Sequence, residues 1–351
     1  MEVDKIICGD TLEVLKTFPD EFVDCVITSP PYYGLRDYNV KGQIGLEKSP
    51  EEYLDKLFAI TAELKRVLKK SGTMFWNQGD SYASLGEISG DIDMDEGMDI
   101  NRGRGRIKRG DYPEKSLFLQ APRLAIHMID EQKWILRNVI IWHKKNAMPS
   151  SVLDRFTNKY EQIFFFTKNK KYYFDIDSVR VPFETDEKRP DGVVRNRKYG
   201  YDSKFNIMQA EKMNSPRARI SRKYNTKEGT KTRQQEKQAI ASGIRRNPEI
   251  DSVRVPSEYE RNPKGKNPGD VWALNSEPYP EAHFATFPQK LIIPIVKAGC
   301  PPNGLILDCF MGSGTTAKVA QDFGRHYLGI ELNKSYIVLA NKRLVQKPLC
   351  G

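Results

Sequence analysis

The 351-residue sequence predicts an α/β protein with a doubly wound, mostly parallel sheet, and three observations carry that prediction. Short, β-branched apolar runs alternate with stretches whose apolar residues recur at helical spacing, as in strands joined by crossover helices. A glycine-rich turn, Asp308-Cys309-Phe310-Met311-Gly312-Ser313-Gly314-Thr315-Thr316, follows one such run, and Glu331 closes the next. The alternation breaks across a basic stretch at 181–268 and then resumes.

In chain order, Asp4 to Cys8 and Phe22 to Thr28 read as buried strands closed by turn-forming residues. Between them Leu12, Leu15 and Phe18 share one face of a helix stopped by Pro19. Pro50 to Lys69 is a longer helix, with Tyr53, Leu54, Leu57, Ile60, Leu64, Val67 and Leu68 on one stripe and Ser71-Gly72 at its end. Thr73 to Trp76 reads as the strand that follows. Residues 83–114 are rich in Gly and Asp and include Arg102-Gly103-Arg104-Gly105-Arg106. Such a composition packs no core and predicts a mobile loop. A helix near 117–131 and strands near 134–143 and 161–167 complete the first half, residues 1–180. After the basic insertion come a helix near 288–298, the strand Leu305 to Asp308, a helix from Thr315, the strand Tyr327 to Ile330 and a helix from Lys334. These make up the second half, residues 269–351.

The formal charge is +10, which suits an anionic partner. Most of the surplus lies at 181–268, where 21 Lys/Arg face 12 Asp/Glu; the bland alternative for that stretch is a solvated linker. Five scattered cysteines without a CxxC pair, and only four histidines, suggest neither a zinc site nor a disulfide framework and suit a reducing cytoplasm. Without a leader or an apolar run approaching about 18 residues, secretion and membrane spanning are disfavoured. Ile176-Asp177-Ser178-Val179-Arg180-Val181-Pro182 recurs unchanged at 250–256, a duplication that brackets the insertion and suggests no function.

The glycine-rich turn sits where a strand passes into a helix, where glycines let backbone approach a ligand closely. Glu331 ends the next strand 17 residues beyond Gly314, the position from which a carboxylate accepts from ribose hydroxyls. A phosphate-binding loop requires GxxxxGK[ST], and this turn has no such lysine, so ATP is disfavoured. A second cluster, Thr28-Ser29-Pro30-Pro31-Tyr32, directly follows a strand. Its prolines fix φ and remove backbone donors, leaving carbonyl acceptors beside an aromatic ring that can hold an amine. Alone, the same tetrapeptide also fits a structural proline turn.

Together, Ser29-Pro30-Pro31-Tyr32 and Phe310-Met311-Gly312-Ser313-Gly314 resemble the catalytic and cofactor motifs of amino-methylating DNA methyltransferases. Their order, with a basic insertion between them, is similar to that family's β group. Gly9-Asp10, Gly79-Asp80, Ile140 to Lys144, Tyr160 to Phe164, Gly269 to Trp272 and His283 to Pro288 extend the resemblance over most of the chain outside 83–114 and 181–268. It implies a class I S-adenosylmethionine-dependent fold with permuted motif order, a catalytic half, a target-recognition insertion and a cofactor-binding half. Asp10 and Thr11 would lie by the adenine, Glu331 would hold the ribose, and Phe310 to Thr316 would wrap the amino-acid part of S-adenosylmethionine. Thr28, Asp308, Phe287 and Pro288 belong to the same cofactor set. Ser29 and the Pro30 carbonyl would accept from the target amine, with Pro31 shaping the turn and Tyr32 stacking on the base.

An exocyclic amine is a poor nucleophile because its lone pair is delocalised into the ring. Acceptors that draw its hydrogens out of plane restore nucleophilicity, and fixing the reactants near contact supplies much of the rate. The base must first leave the duplex. Methylation at cytosine carbon 5 needs a Pro-Cys nucleophile, and the sequence has only Cys300-Pro301. Family usage of serine at position 29 favours cytosine N4 over adenine N6. RNA or protein glutamine, and an inactive DNA-binding protein, are further alternatives. The resemblance also implies double-stranded DNA as partner, a functional pairing with a restriction endonuclease of the same specificity, and a monomer or homodimer.

Overall fold

The computed structural model describes residues 2–83, 89–90, 111–182, 262–276 and 287–345. The chain divides into two compact units, Met1–Val181 with Asn267–Gly351, and Pro182–Lys266. Of the second, only Pro182 and residues 262–266 are described. Most of the 83–114 loop, most of the basic insertion and the second copy of the repeat lie outside the described residues. The first copy forms a short 3-10 turn, Ile176–Val179.

The first unit holds an eight-stranded sheet in the order β1-β10-β9-β2-β4-β7-β6-β8. Its strands are β1 (Lys5–Cys8), β2 (Val23–Thr28), β4 (Leu68–Gln78), β6 (Ile135–Lys144), β7 (Tyr160–Thr167), β8 (Val271–Leu274), β9 (Leu305–Asp308) and β10 (His326–Glu331). Two short strands, β3 (Arg36–Asp37) and β5 (Ser89–Gly90), pair separately. Among the described residues six helices accompany them: α1 (Thr11–Lys16), α2 (Pro50–Val67), α3 (Gln120–Asp130), α4 (Gln289–Gly299), α5 (Thr315–Asp322) and α6 (Lys334–Val345). Every pairing is parallel except those of β7 with β4 and β6, so the mostly parallel, doubly wound expectation holds.

Period-two alternation explains why helices cover both faces. Val26, Met74, Trp76, Phe164, Phe166, Leu305 and Leu307 point into one core, closed by α1, α2 and α3. Their neighbours Cys25, Ile27, Phe75, Ile163, Phe165 and Ile306 point into a second core, under α4 and α5. The α2 stripe is buried from Tyr53 to Val67, with Ser49 Oγ accepting from Glu52 N at 3.3 Å and Pro50 in the first turn; a cap of this kind stabilises a helix by about 1 kcal/mol.

Two expectations change, and one strand was not foreseen. β1 is only half-buried and Cys8 is exposed, because it is the edge strand and pairs with a neighbour on one side only. The helix does not continue to Lys69: it ends at Val67, and Leu68 already pairs with Val23. From there two steps along β2, to Cys25, oppose five along β4, to Thr73, so Ser71-Gly72 lies in a bulge rather than ending a helix. Four-residue β8, which showed no alternation in the sequence, is a strand because it adds in parallel to the edge offered by β6. Among the described residues no helix is long and apolar enough to cross a membrane.

Candidate active site

Strand order reverses between β9 and β2. From β2 the chain winds through α2 to β4, and from β9 through α5 to β10 in the other direction. Parallel sheets open a crevice at the carboxyl ends of strands at such a point. A cleft of about 310 Å³ lies there. Ser29, Pro30, Pro31 and Tyr32 line it from the end of β2; Phe310, Met311, Gly312, Ser313 and Thr315 line it from the turn after β9. Asp10, Thr11, Phe287 and Glu331 complete the expected residues that face it.

Thr28, Asp308, Gly314, Thr316 and Pro288 do not line the cleft. Asp308 is buried and accepts from Thr28 Oγ1 at 2.7 Å, Thr316 Oγ1 at 2.6 Å and Phe310 N at 3.1 Å. Burial nevertheless pushes its carboxyl up to about 6. These groups clamp the two motif-bearing turns from behind. A Cβ on Gly314, whose φ is +78°, would lie 2.8 Å from Ala340 Cβ of α6. That glycine therefore serves helix packing rather than approach to a ligand. A Cβ on Gly312 (φ +53°) would meet only Phe310 O, at 4.0 Å, so Gly312 is the glycine that leaves the cleft open.

Glu331 is held from two sides, Oε2 by Gly312 N and Oε1 by Asn333 N, each at 2.7 Å. Burial raises its carboxyl above the ordinary glutamate value. The pair of backbone donors fixes the carboxylate on the cleft wall with acceptor capacity remaining. Asp10 caps α1, accepting from Leu12 N at 3.0 Å and Glu13 N at 3.1 Å, and Thr11 Oγ1 donates to Cys309 O at 2.8 Å. Burial pushes the Cys309 thiol up, so this cysteine offers no thiolate beside the site.

The Ser-Pro-Pro-Tyr turn is built into a polar network that the motif alone did not disclose. Tyr32 Oη donates to Glu161 Oε2 at 2.8 Å. Asn77 Nδ2 lies 2.9 Å from Glu161 Oε2, 3.1 Å from Tyr32 Oη and 3.3 Å from Ser29 Oγ. Lys144 Nζ pairs with Glu161 Oε1. Burial, and then Glu161, push the Tyr32 hydroxyl well above the usual phenol range, so it stays protonated and anchors the ring. Pro31 O does not face outward as expected; it accepts from Tyr53 Oη at 2.9 Å. Asn77, Lys144 and Glu161 come from the ends of β4, β6 and β7. The available signal was a polar residue directly after the apolar run Thr73 to Trp76. Tyr38 and Tyr336, with rings 6.3 Å apart and nearly perpendicular, also line the cleft.

A doubly wound sheet that gathers a glycine-rich turn, a strand-end carboxylate and a Ser-Pro-Pro-Tyr turn around one cleft has the architecture of an α/β enzyme. The N6/N4 family model described as DNA methylase matches residues 23–342, and the chain belongs to that family. It is 34% identical to the Type II methyltransferase M.SmaI of Serratia marcescens over 98% of this chain and 91% of the relative. In fold it is similar to the PvuII DNA methyltransferase (cytosine-N4-specific), with a TM-score of 0.58, 18% identity and coverage of 99% of this chain and 89% of that one. It is also similar to a Thermus thermophilus protein complexed with S-adenosyl-L-methionine, with a TM-score of 0.51, 21% identity and coverage of 99% and 97%.

Proposed function

We propose that this DNA methylase transfers a methyl group from S-adenosylmethionine to the N4 amine of a cytosine extruded from double-stranded DNA. The observation that carries the reading is that Ser29 and Glu331, from separate motifs, open onto one cleft. The cofactor fits the residues there: Gly312 leaves an open cradle, and Glu331 is an oriented acceptor for ribose hydroxyls. Asp10 and Thr11 would hold the adenine, Phe310 to Ser313 with Thr315 the amino-acid part, and Phe287 would cover it. When bound, S-adenosylmethionine supplies an electrophilic sulfonium methyl. The fold neighbour complexed with it supports the assignment.

Ser29 Oγ is the acceptor that would draw one amine hydrogen out of the ring plane, and the Pro30 carbonyl would take the other. Asn77 Nδ2 donates to Ser29 Oγ, and the hydroxyl keeps a second lone pair for the substrate. Glu161 holds Tyr32 by its hydroxyl, so the ring stands ready to stack on the base. Leu35, Val40 and Ile44 give the cleft apolar walls. Serine at the head of the turn favours cytosine, and the PvuII fold neighbour is cytosine-N4-specific by name. The insertion at 181–268 is the proposed target-recognition region, and a restriction endonuclease of the same specificity is the functional counterpart that this reading implies. Nucleoside mass spectrometry of DNA treated with the enzyme tests the base: N4-methylcytosine with unmodified adenine is expected. N6-methyladenine instead overturns the base assignment and leaves the transfer itself standing.

A further inference from the structure

The loop between β6 and β7, residues 145–159, begins and ends at the cleft. Lys144 and Glu161, just before and after it, both line the cleft, and Lys144 N donates to Lys159 O at 2.8 Å, closing the base of the loop. Asn146 anchors one flank through Ser276, another lining residue, donating from Nδ2 to Ser276 O at 3.0 Å and accepting from Ser276 N at 2.9 Å. The other flank is pinned by Arg155, 3.9 Å from the ring centroid of Tyr82, and by an ion pair of 2.6 Å between Lys115 and Asp154.

What the anchored loop carries outward is apolar. Met148 is 85%, Leu153 100% and Phe156 97% exposed. Single exposed apolar side chains are ordinary, but these three, with Val152 also exposed on the same loop beside a site, mark a surface that meets something. Lys145, Arg155 and Lys159 are also exposed on this loop, and its one acidic residue, Asp154, is taken up by Lys115. Apolar side chains interleaved with exposed cations match a duplex, with phosphates outside and stacked base faces within.

We infer that this loop enters the DNA duplex beside the target base, with Leu153 and Phe156 occupying the space that the extruded base vacates. The inference rests on the proposed reading of the cleft as a base-flipping methyl-transfer site. A base that leaves the stack exposes two apolar faces, and an apolar wedge between them slows its return. The loop has the position for this, because both its ends meet on one wall of the cleft that would receive the base. It also has the exposure, because neither wedge residue is used in packing the protein.

The experiment uses the full chain and two duplexes carrying its methylation site, mapped beforehand with the wild-type enzyme. In one duplex the target base is paired; in the other its partner is replaced by an abasic nucleotide, so that extrusion is cheap. For the double variant Leu153→Ser, Phe156→Ser, single-turnover transfer is expected to fall about tenfold or more on the paired duplex and to stay within about twofold of wild type on the abasic one. Phe156→Trp, which keeps a flat apolar side chain, should retain the rate, and unchanged cofactor affinity in calorimetry reports an intact fold. Equal losses on both duplexes, or no loss on either, overturn the inference. So does a wild-type dimer that the substitutions dissociate, which would assign the loop to a contact between copies of the chain. A wild-type enzyme that labels no DNA refutes the methylation reading itself, a result distinct from an active wild type whose two duplexes respond alike.

Discussion

The main-chain N–H of Gly312 donates to Glu331 Oε2 at 2.7 Å, joining the turn after β9 to the end of β10. Removing the carboxylate frees that donor and the one on Asn333, and removes the proposed acceptor for a ribose. Glu331→Ala is expected to weaken S-adenosylmethionine binding by about 10- to 100-fold, the equivalent of roughly 1.5–3 kcal/mol for charge-assisted hydrogen bonds. Isothermal calorimetry measures this directly, and wild-type affinity in the variant would remove Glu331 from the site.

Ser29→Ala and Tyr32→Ala should lose methyl transfer by about 100-fold or more while cofactor affinity stays near wild type, since proton-accepting and orienting groups contribute on that scale. Tyr32→Phe separates the two roles proposed for the tyrosine: it keeps a stacking face and loses the hydroxyl's bonds to Glu161 and Asn77. Its rate should fall between those of wild type and Tyr32→Ala. If all three variants turn over at the wild-type rate, the turn is structural.

Gly314 and Gly312 should respond in different currencies. Gly314→Ala places a methyl 2.8 Å from Ala340 Cβ at a φ of +78°, and should lower stability by about 2–4 kcal/mol through left-handed strain plus overpacking. Gly312→Ala meets open space, so it should cost about 1 kcal/mol of stability but reduce cofactor affinity. Urea unfolding paired with calorimetry distinguishes them. Equal stability in the two variants would contradict the packing role given to Gly314.

Asp308 makes the fold sensitive to pH. Burial pushes its carboxyl from 3.8 up to about 6, so the folded protein holds that proton more tightly than the unfolded chain. The contribution favours folding below about pH 4 and is lost as pH rises through about 6. Stability measured relative to Asp308→Asn should therefore fall between about pH 4 and pH 7.5, by at most about 3 kcal/mol. A flat difference across that range would mean that the carboxyl titrates normally.

The 21 Lys/Arg against 12 Asp/Glu at 181–268 give a prediction for DNA. Affinity should fall steeply with salt as phosphate contacts release counterions. Deleting 185–260 should abolish DNA binding and leave cofactor binding intact. Full DNA affinity in the deletion would move the recognition surface elsewhere, with the Arg-Gly run at 102–106 as the next candidate.

The sequence by itself determined the elements whose signal is local. Strand-helix alternation, the glycine-rich turn with Glu331 at the following strand end, and Ser-Pro-Pro-Tyr after β2 were all legible, because periodicity and turn chemistry are written in neighbouring residues. Only the tertiary structure decided what those residues face. Met311 and Gly312 line the cleft while Gly314, two positions on, meets Ala340, a difference set by a helix residue 26 positions downstream. Asn77, Lys144 and Glu161 belong to three separate strands and become one network around Tyr32 only when β7 inserts antiparallel between β4 and β6. The four residues of β8 carry too little periodicity to announce a strand and become one because β6 offers unpaired backbone to a parallel neighbour. Contacts between residues far apart in the chain leave no local pattern, so the motifs could be read from the sequence, while their common cleft follows from how the strands are ordered.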